Sequence, residues 1–367
     1  LGKSKKNGGV MLKNILLIGY DSNICLGVSY CLNKMGNCKL LLLTNNKRNA
    51  AKYSRFIKKI YYYEDRSLKL EEINDIIEKE KIHLVFPYDE NEGIFFSANK
   101  KDIRYDKTSS IWLTDPENYS KGVNKLQLAN LLSAANINTP PFVQNDNKGL
   151  LLAELSKWSG PIIMKPARSS FGRGIIKFTD VQSIKKYLNS NNIDLSQHFF
   201  QPYILGSDLT VNAISSKGEI LYYTIQETPI KTNSVFVSGD DFEFKEDEAA
   251  IELVSKALKE LKWNGVACFD LRRSAKTGEL FILEINGRFW ASLLSAFKKG
   301  GVNFPAILTK LSLGETIITP SKQYERQISV RSFFHHLFSG KPKNWKMTKY
   351  STYFADPLAR LYQLISS

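Results

Sequence analysis

The 367-residue sequence is poor in the residues that most often announce a chemistry: it has four cysteines and four histidines. Cys25, Cys31, Cys38 and Cys268 form no CxxC pair and no regular framework, which argues against a disulfide scaffold or a cysteine zinc site and for a reducing, cytoplasmic setting. His83, His198, His335 and His336 form no HExxH. No apolar run approaches the ~20 residues that cross a bilayer; Ile15–Ile18 and Leu40–Leu43 have only the length of buried strands. Leu1–Val10 is rich in Lys, Gly and Asn without an apolar core, so no secretory signal is expected there, and Met11 reads as the natural start behind a tag or disordered lead. There is no Walker A loop, no GxGxxG and no internal repeat.

Basic residues are abundant instead. Fifty-one Lys and Arg against 36 Asp and Glu give a net charge of +15, or +12 without Lys3, Lys5 and Lys6 (15 − 3). The two signs are interspersed, so most of the charge reads as solvated surface, with a nucleotide-like polyanion as the partner class it favours and no specific nucleic acid expected. Only the tail from Lys322 mixes bases with aromatics, among them His335, His336, Phe338, Trp345 and Tyr350. It reads first as a packed cap on the nucleotide-binding part, with an interfacial helix or a subunit contact, and hence a homodimer, as the other readings.

Two patterns divide the chain. Up to residue 115, strand-like runs (13–19, 39–44, 83–87) alternate with helical periodicity (22–35, 70–81), which predicts an α/β, Rossmann-like layer. Asp89, Glu90 and Glu92 follow the last of these strands, where such sheets bind ligands, and read equally well as a solvated loop. Asp115-Pro116 opens a helix over 120–135. Beyond it, strands joined by short Gly turns (162–166, 174–178, 199–203, 209–214, 220–226, 266–272, 280–285) predict an α+β unit, with helices at 180–189 and 247–261. The expected organisation is a domain over 11–115, two subdomains over 116–200 and 201–320, and an extension over 321–367.

The most informative stretch is Val266–Arg288. Two strands flank Lys276-Thr277-Gly278; Asp270 lies seven residues before Thr277 and Glu284 seven after, so a simple antiparallel register sets the two carboxylates opposite each other. Asn286 and Arg288 share the face of Glu284, while Phe281, Leu283 and Ile285 are expected on the core face. Facing carboxylates repel unless a cation or a proton intervenes. With the Asn286 amide oxygen they make an all-oxygen donor set suited to Mg²⁺ or Mn²⁺. A bare charged hairpin surface is the bland alternative. Upstream, Ile162–Gly174 (IIMKPARSSFGRG) delivers Lys165 from a strand into a Ser/Gly loop whose N–H groups can converge on an anion. An ordinary hairpin turn would look the same. Phe199–Thr210 and Asn124-Lys125 say little alone.

Taken in order, Asn124-Lys125, INTPPF (137–142), KPARSSFGRGI (165–175), QPYILGSD (201–208), FDLR (269–272) and LEINGRFW (283–290) resemble the ATP-grasp superfamily, most of all its carbamoyl-phosphate-synthase-like and amino-acid-ligase branches. The likeness runs from Met11 to about Glu315. It implies a Rossmann-like domain followed by an ATP-grasp domain of two α+β subdomains with the nucleotide between them. By that likeness Lys125 and Lys165 contact ATP phosphates, and Ser169, Ser170, Phe171, Gly172 and Gly174 belong to a loop closing over them. Gln201, Pro202, Tyr203 and Ile204 form the hinge beside adenine, and Asp208 binds ribose. Asp270, Glu284 and Asn286 hold magnesium, and Arg288 stands with Lys165 at the transferred phosphate. Three positions depart from the family pattern: Pro202 for a hinge glutamate, Gly287 for a proline, which adds flexibility before Arg288, and Asp270 for a glutamate.

The implied reaction joins a small-molecule carboxylate to an amine through an acyl phosphate, releasing ADP and phosphate, without an obvious general base. A non-catalytic ATP-binding module and a carbamoyl-phosphate-type activation of bicarbonate or carbamate are the alternatives; a dehydrogenase ranks last for want of the glycine fingerprint. The acceptor pocket is expected between the first domain and the cleft, near Asp89, Arg272 and the 228–241 loop.

Overall fold

The computed structural model describes residues 12–64, 68–103, 108–169, 172–228, 241–340, 345–348 and 353–366. The chain opens with five parallel strands: β1 (Lys13–Ile18), β2 (Cys38–Thr44), β3 (Ile57–Tyr62), β4 (Leu84–Pro87) and β5 (Ser109–Ser110), in the order β3-β2-β1-β4-β5. β1, β2 and β4 read as continuous apolar runs because helices cover both faces; Ile15–Ile18, Leu40–Leu43 and Leu84–Phe86 are buried. Strand order reverses between β1 and β4, and there Asp89 accepts from the N–H groups of Tyr20 and Asp21, both at 2.7 Å. A Cβ on Gly19 would lie 2.5 Å from the fully buried Tyr88 ring, and Asp89 already takes the N–H groups that the dehydrogenase reading would offer to a dinucleotide phosphate.

Two antiparallel sheets follow. Strands β6 (Ile162–Pro166), β7 (Ile176–Phe178) and β8 (His198–Pro202) form a small sheet in the order β7-β6-β8. Strands β9 (Gly206–Ser216), β10 (Glu219–Thr228), β11 (Phe242–Lys245), β12 (Gly265–Ser274), β13 (Leu280–Asn286) and β14 (Arg326–Gln327) form a large one, ordered β13-β12-β9-β10-β11-β14. The α/β layer followed by an α+β unit stands as expected.

The sheets do not share one core. The small sheet rests on its own cluster, with Leu151, Leu155, Ile162, Met164, Ile184 and Phe200 at its centre. The first sheet and the large sheet join in a single, much larger core, where Phe86 of β4 stacks on Phe289 with ring centroids 5.4 Å apart. Only residues 203–205 separate β8 from β9, so the small sheet is joined to the large one by a very short link.

Several elements differ from the sequence reading. The expected helix over 120–135 is two helices, Pro116–Val123 and Lys125–Ala134. Asn124, extended at φ −91°, breaks them because its side chain caps the second helix, accepting from the N–H groups of Leu126 and Gln127. Strand β3 and the helix Lys148–Leu155 escaped notice: IKKIYY carries two lysines, and 148–155 is apolar nearly all round. The tail is divided. Its start adds β14 to the large sheet, while the helix Pro357–Ser366 packs on the first domain at Ala50–Tyr53 rather than capping the nucleotide-binding part. Residues 1–11, Ser170, Phe171, 229–240 and Lys341, Lys343, Lys349 and Tyr350 of the tail lie outside the described residues.

Asp89, Glu90 and Glu92 are not in a solvated loop. Asp89 precedes the helix Glu90–Asn99, and Glu92 is buried against Tyr63, whose hydroxyl donates to it at 3.1 Å. Burial first, and the charge of Asp89 second, raise the Glu92 carboxyl from 4.5 to about 7. A carboxyl whose folded value is raised adds stability below its unfolded value and loses it as pH climbs through the folded one. Glu92→Gln should therefore exceed the parent in stability at about pH 8, by roughly 1–3 kcal/mol, with the gap closing near pH ~5. Chemical denaturation at the two pH values measures it, and an equal gap at both would remove the ionised Glu92 as its cause.

Candidate active site

The cleft lies between the two antiparallel sheets, and its position follows from the short link joining them. Ile163, Lys165, Gly172, Ile175, Gln201 and Pro202 come from the small sheet and its loop; Tyr203 and Ile204 come from the link; Asp208, Leu209, Asp270, Leu271, Arg272, Leu283 and Glu284 come from the large sheet. The space between them is about 800 Å³ counted with its open mouth.

At one end, Asp270 stands directly opposite Glu284 in the β12–β13 ladder, as the symmetric hairpin predicts. The register then slips: Leu271 pairs Ile282, which leaves Leu283 as a bulge. This corrects the expected core face. Leu280, Ile282 and Ile285 are buried, whereas Leu283 turns into the cleft as an apolar wall. Asn286 lies two residues beyond Glu284, opposite Cys268, and its Oδ1 accepts from Arg288 Nη2 at 3.4 Å.

Electrostatics show what the pair lacks. Burial, then the charge of Glu284, pushes the Asp270 carboxyl well above the usual carboxylate range; Thr210 Oγ1 donates to it at 3.2 Å without cancelling that. Burial is also the largest influence on Glu284 and works in the same direction, but Lys125, 3.1 Å from its Oε2, the hydrogen bond with Asp270 and the charge of Lys165 together hold Glu284 low. Lys125 is the ion-pair partner of this carboxylate pair among the described residues, and Asp270, held above the usual range, still lacks the charge that would ionise it. No group of three His, Cys, Asp or Glu side chains suited to a metal exists among the described residues. A hard cation here would use the two carboxylates, the Asn286 amide and oxygens of a bound polyphosphate, a set that fits Mg²⁺ or Mn²⁺.

Lys125 and Lys165 reach the same end from different elements. The Lys125 N–H donates to the Ala167 carbonyl at 2.9 Å and its ammonium to the Ser169 carbonyl, which clamps the helix start to the loop after β6. Lys165 is 7% exposed, and its ammonium makes no hydrogen bond or ion pair among the described residues. Burial, only partly offset by Glu284, pulls it from 10.5 down to about 8. The Ser169 hydroxyl, four residues on, is buried without a partner among the described residues. Gly172 and Gly174 occupy the turn before β7 with left-handed φ of 68° and 74°.

The other end mixes apolar side chains with a few polar ones. The Gln201 amide oxygen is buried with no partner among the described residues, while its nitrogen donates to the Pro140 carbonyl at 3.4 Å. Arg272 pairs with Asp208 at 2.7 Å and donates to the Ile204 carbonyl at 3.1 Å, and Lys177 lies 3.6 Å over the Tyr203 ring. Arg272 therefore belongs to this end and not to an acceptor pocket, and Asp89 is spent on the turn at 20–21. Reading the sequence missed Lys177 and Leu283. Lys177 carries no local signal, and the bulge that turns Leu283 inward leaves no mark in an unbroken apolar run.

A family model for the ATP-grasp domain matches residues 123–292. This segment is an ATP-grasp domain. In general terms that domain goes with ATP-dependent ligase-type chemistry. The chain is 23% identical over 230 residues to the carbamoyl phosphate synthase arginine-specific large chain of Eremothecium gossypii; the match covers 59% of this chain and 20% of that relative, about a fifth of its length. Among solved structures, the L-amino acid ligase from Bacillus licheniformis aligns over 85% of this chain and 75% of its own, with 17% identity and a TM-score of 0.63. The N5-carboxyaminoimidazole synthetase from Staphylococcus aureus complexed with ADP aligns over 90% and 87%, with 12% identity and a TM-score of 0.68. Both likenesses concern the fold.

One departure of this ATP-grasp domain has a physical reason. The buried Tyr119, stacked on Trp263, donates its hydroxyl to the Gly287 carbonyl at 2.6 Å, and a Cβ on Gly287 would lie 2.8 Å from that ring. Gly287 is a close-approach position that lets Tyr119 hold the strand end before Arg288, rather than a source of looseness. Gly287→Ala should cost about 1–3 kcal/mol, read as a lower melting temperature. Lys165 gives a second expectation. A polyanion in the cleft returns its proton, so ATP binding at about pH 8.5 should take up protons, with less uptake near pH ~7. Calorimetry in buffers of different ionisation enthalpy measures this; Lys165→Arg, always charged, should bind without the uptake.

Proposed function

We propose that the protein is an ATP- and magnesium-dependent ligase that joins a carboxylate to an amine through an acyl phosphate, releasing ADP and phosphate. The observation that carries this reading is the facing Asp270–Glu284 pair, with Asp270 held above the usual carboxylate range, beside a buried lysine that has no ion pair among the described residues, in a cleft between two sheets.

In this reading the adenine lies on Ile163, Leu209, Leu271 and Leu283, with the Gln201 amide oxygen free to accept from its amino group. Pro202 keeps its carbonyl, so losing the hinge glutamate removes no backbone contact. Asp208 faces the ribose, steadied by Arg272. Lys125, Lys165, the Ser169 hydroxyl and the loop of Ser170, Phe171, Gly172 and Gly174 meet the phosphates. Asp270, Glu284 and Asn286 would hold Mg²⁺ or Mn²⁺, which when bound neutralises the β- and γ-phosphate oxygens. Arg288 is placed to steady charge on the γ-phosphoryl as it moves: Asn286 and the Phe289 carbonyl, 2.8 Å from its Nη1, fix the guanidinium. Across from Arg288 stands Glu90 of the first domain, whose carboxyl burial raises and Arg288 lowers, so the acceptor pocket is assigned to the face between Arg288 and the start of the 90–99 helix.

The test is phosphate release with ATP, Mg²⁺ and a library of amino acids and other carboxylates. Turnover should give ADP, and Glu284→Gln should lower kcat by ~10²-fold or more. AMP and pyrophosphate as products would overturn the acyl-phosphate route; full turnover by Glu284→Gln would remove the metal assignment.

A further inference from the structure

The helix Pro357–Ser366 turns only one side to the protein. Ala359 and Arg360 are buried, Arg360 Nη1 donates to Asn23 Oδ1 at 3.0 Å, and Tyr362 packs on Tyr53 with ring centroids 4.7 Å apart. On the opposite side Leu358, Leu361, Leu364 and Ile365 are 68%, 57%, 52% and 76% exposed. Their spacing of three and four makes a single stripe along the helix, and Phe354, 76% exposed, stands just ahead of it. Single exposed apolar side chains are ordinary, whereas a stripe of this kind marks a contact surface.

The chain beneath the helix has the opposite character. Asp356 accepts from the Ser54 hydroxyl and from the Arg55 N–H at 3.2 Å, which pins the helix start to residues 50–55. Residues 47–59 contain Lys47, Arg48, Lys52, Arg55, Lys58 and Lys59 and no Asp or Glu. All six are exposed, and among the described residues only Lys59 has an acidic side-chain partner, Glu80 at 2.6 Å. Lys52 lies 4.7 Å over the Tyr362 ring, so the basic segment adjoins the helix itself.

We propose that this face, the outward stripe of the helix rimmed by residues 47–58, docks on an anionic lipid surface and lies in its interface. Leucine and phenylalanine side chains enter the headgroup–acyl boundary while lysine and arginine meet lipid phosphates, the pairing that holds monotopic helices. No helix among the described residues is long and apolar enough to cross a membrane. A second copy of this chain fits less well, because a twofold contact would oppose two basic rims. A nucleic acid would engage the rim and leave the stripe in water.

Flotation of the full chain with vesicles of phosphatidylglycerol and phosphatidylcholine, against phosphatidylcholine alone, tests the surface. Binding should need the anionic lipid and weaken with salt. Leu361→Ser with Ile365→Ser should reduce affinity at least about tenfold, and so should Lys47→Glu with Arg48→Glu. These side chains are exposed, so unchanged melting temperatures are expected for both double variants. No flotation of the parent chain would overturn the proposal, as would equal flotation of parent and both variants. A dimer in sedimentation equilibrium that Leu361→Ser with Ile365→Ser disperses would assign the face to a second copy. An oligonucleotide bound through Lys47 and Arg48, with no vesicle binding, would assign it to nucleic acid.

Discussion

Two carboxylates held face to face across a β-ladder are the constraint around which the ATP-grasp domain is arranged. Asp270 and Glu284 cannot both be charged in a buried place without a cation. Lys125 supplies one charge to Glu284, and that role explains the break at Asn124: a new helix must begin there so that its first residue can lean on the loop after β6. In the proposed function, a metal–polyphosphate complex would supply the positive charge that Asp270 lacks. Stability is given up locally where binding recovers it, a common arrangement at sites whose groups carry perturbed pKa values.

A second arrangement ties the two halves of the molecule. Tyr119 stacks on Trp263 and donates to the Gly287 carbonyl, and Phe289 stacks on Phe86 of β4. Arg288 sits between these two anchors, so its position is set jointly by the first sheet and the large sheet. The first sheet thereby contributes to the site by shape and anchoring. It carries no nucleotide fingerprint, and Tyr88 and Asp89 fill the crevice where such sheets elsewhere bind ligands.

The legible part of the site was the part governed by local symmetry. A short turn with equal arms is enough to set Asp270 against Glu284, and alternation places Asn286 beside them. Contributions that depend on a slip in register or on distant packing were not legible: the bulge at Leu283, Lys177 over Tyr203, and the diversion of Asp89 to a turn nearly seventy residues away. The fold follows the same division. Buried parallel strands show as apolar runs, while β3, with two lysines at an exposed edge of its sheet, does not. The helix over 120–135 was misjudged because a single asparagine cap interrupts an otherwise continuous pattern.

The small sheet's separate core has a thermodynamic meaning of its own. Cooperativity in folding follows shared apolar packing, so the cluster around Leu151, Met164 and Phe200 defines a unit able to loosen while the larger core stays intact. In the proposed function, a nucleotide seated between the two clusters would touch both and act as a removable staple, part of its binding energy going into ordering the smaller unit. Amide protons of β6–β8 should then exchange through an opening shallower than global unfolding, and that opening should deepen when the cleft is filled.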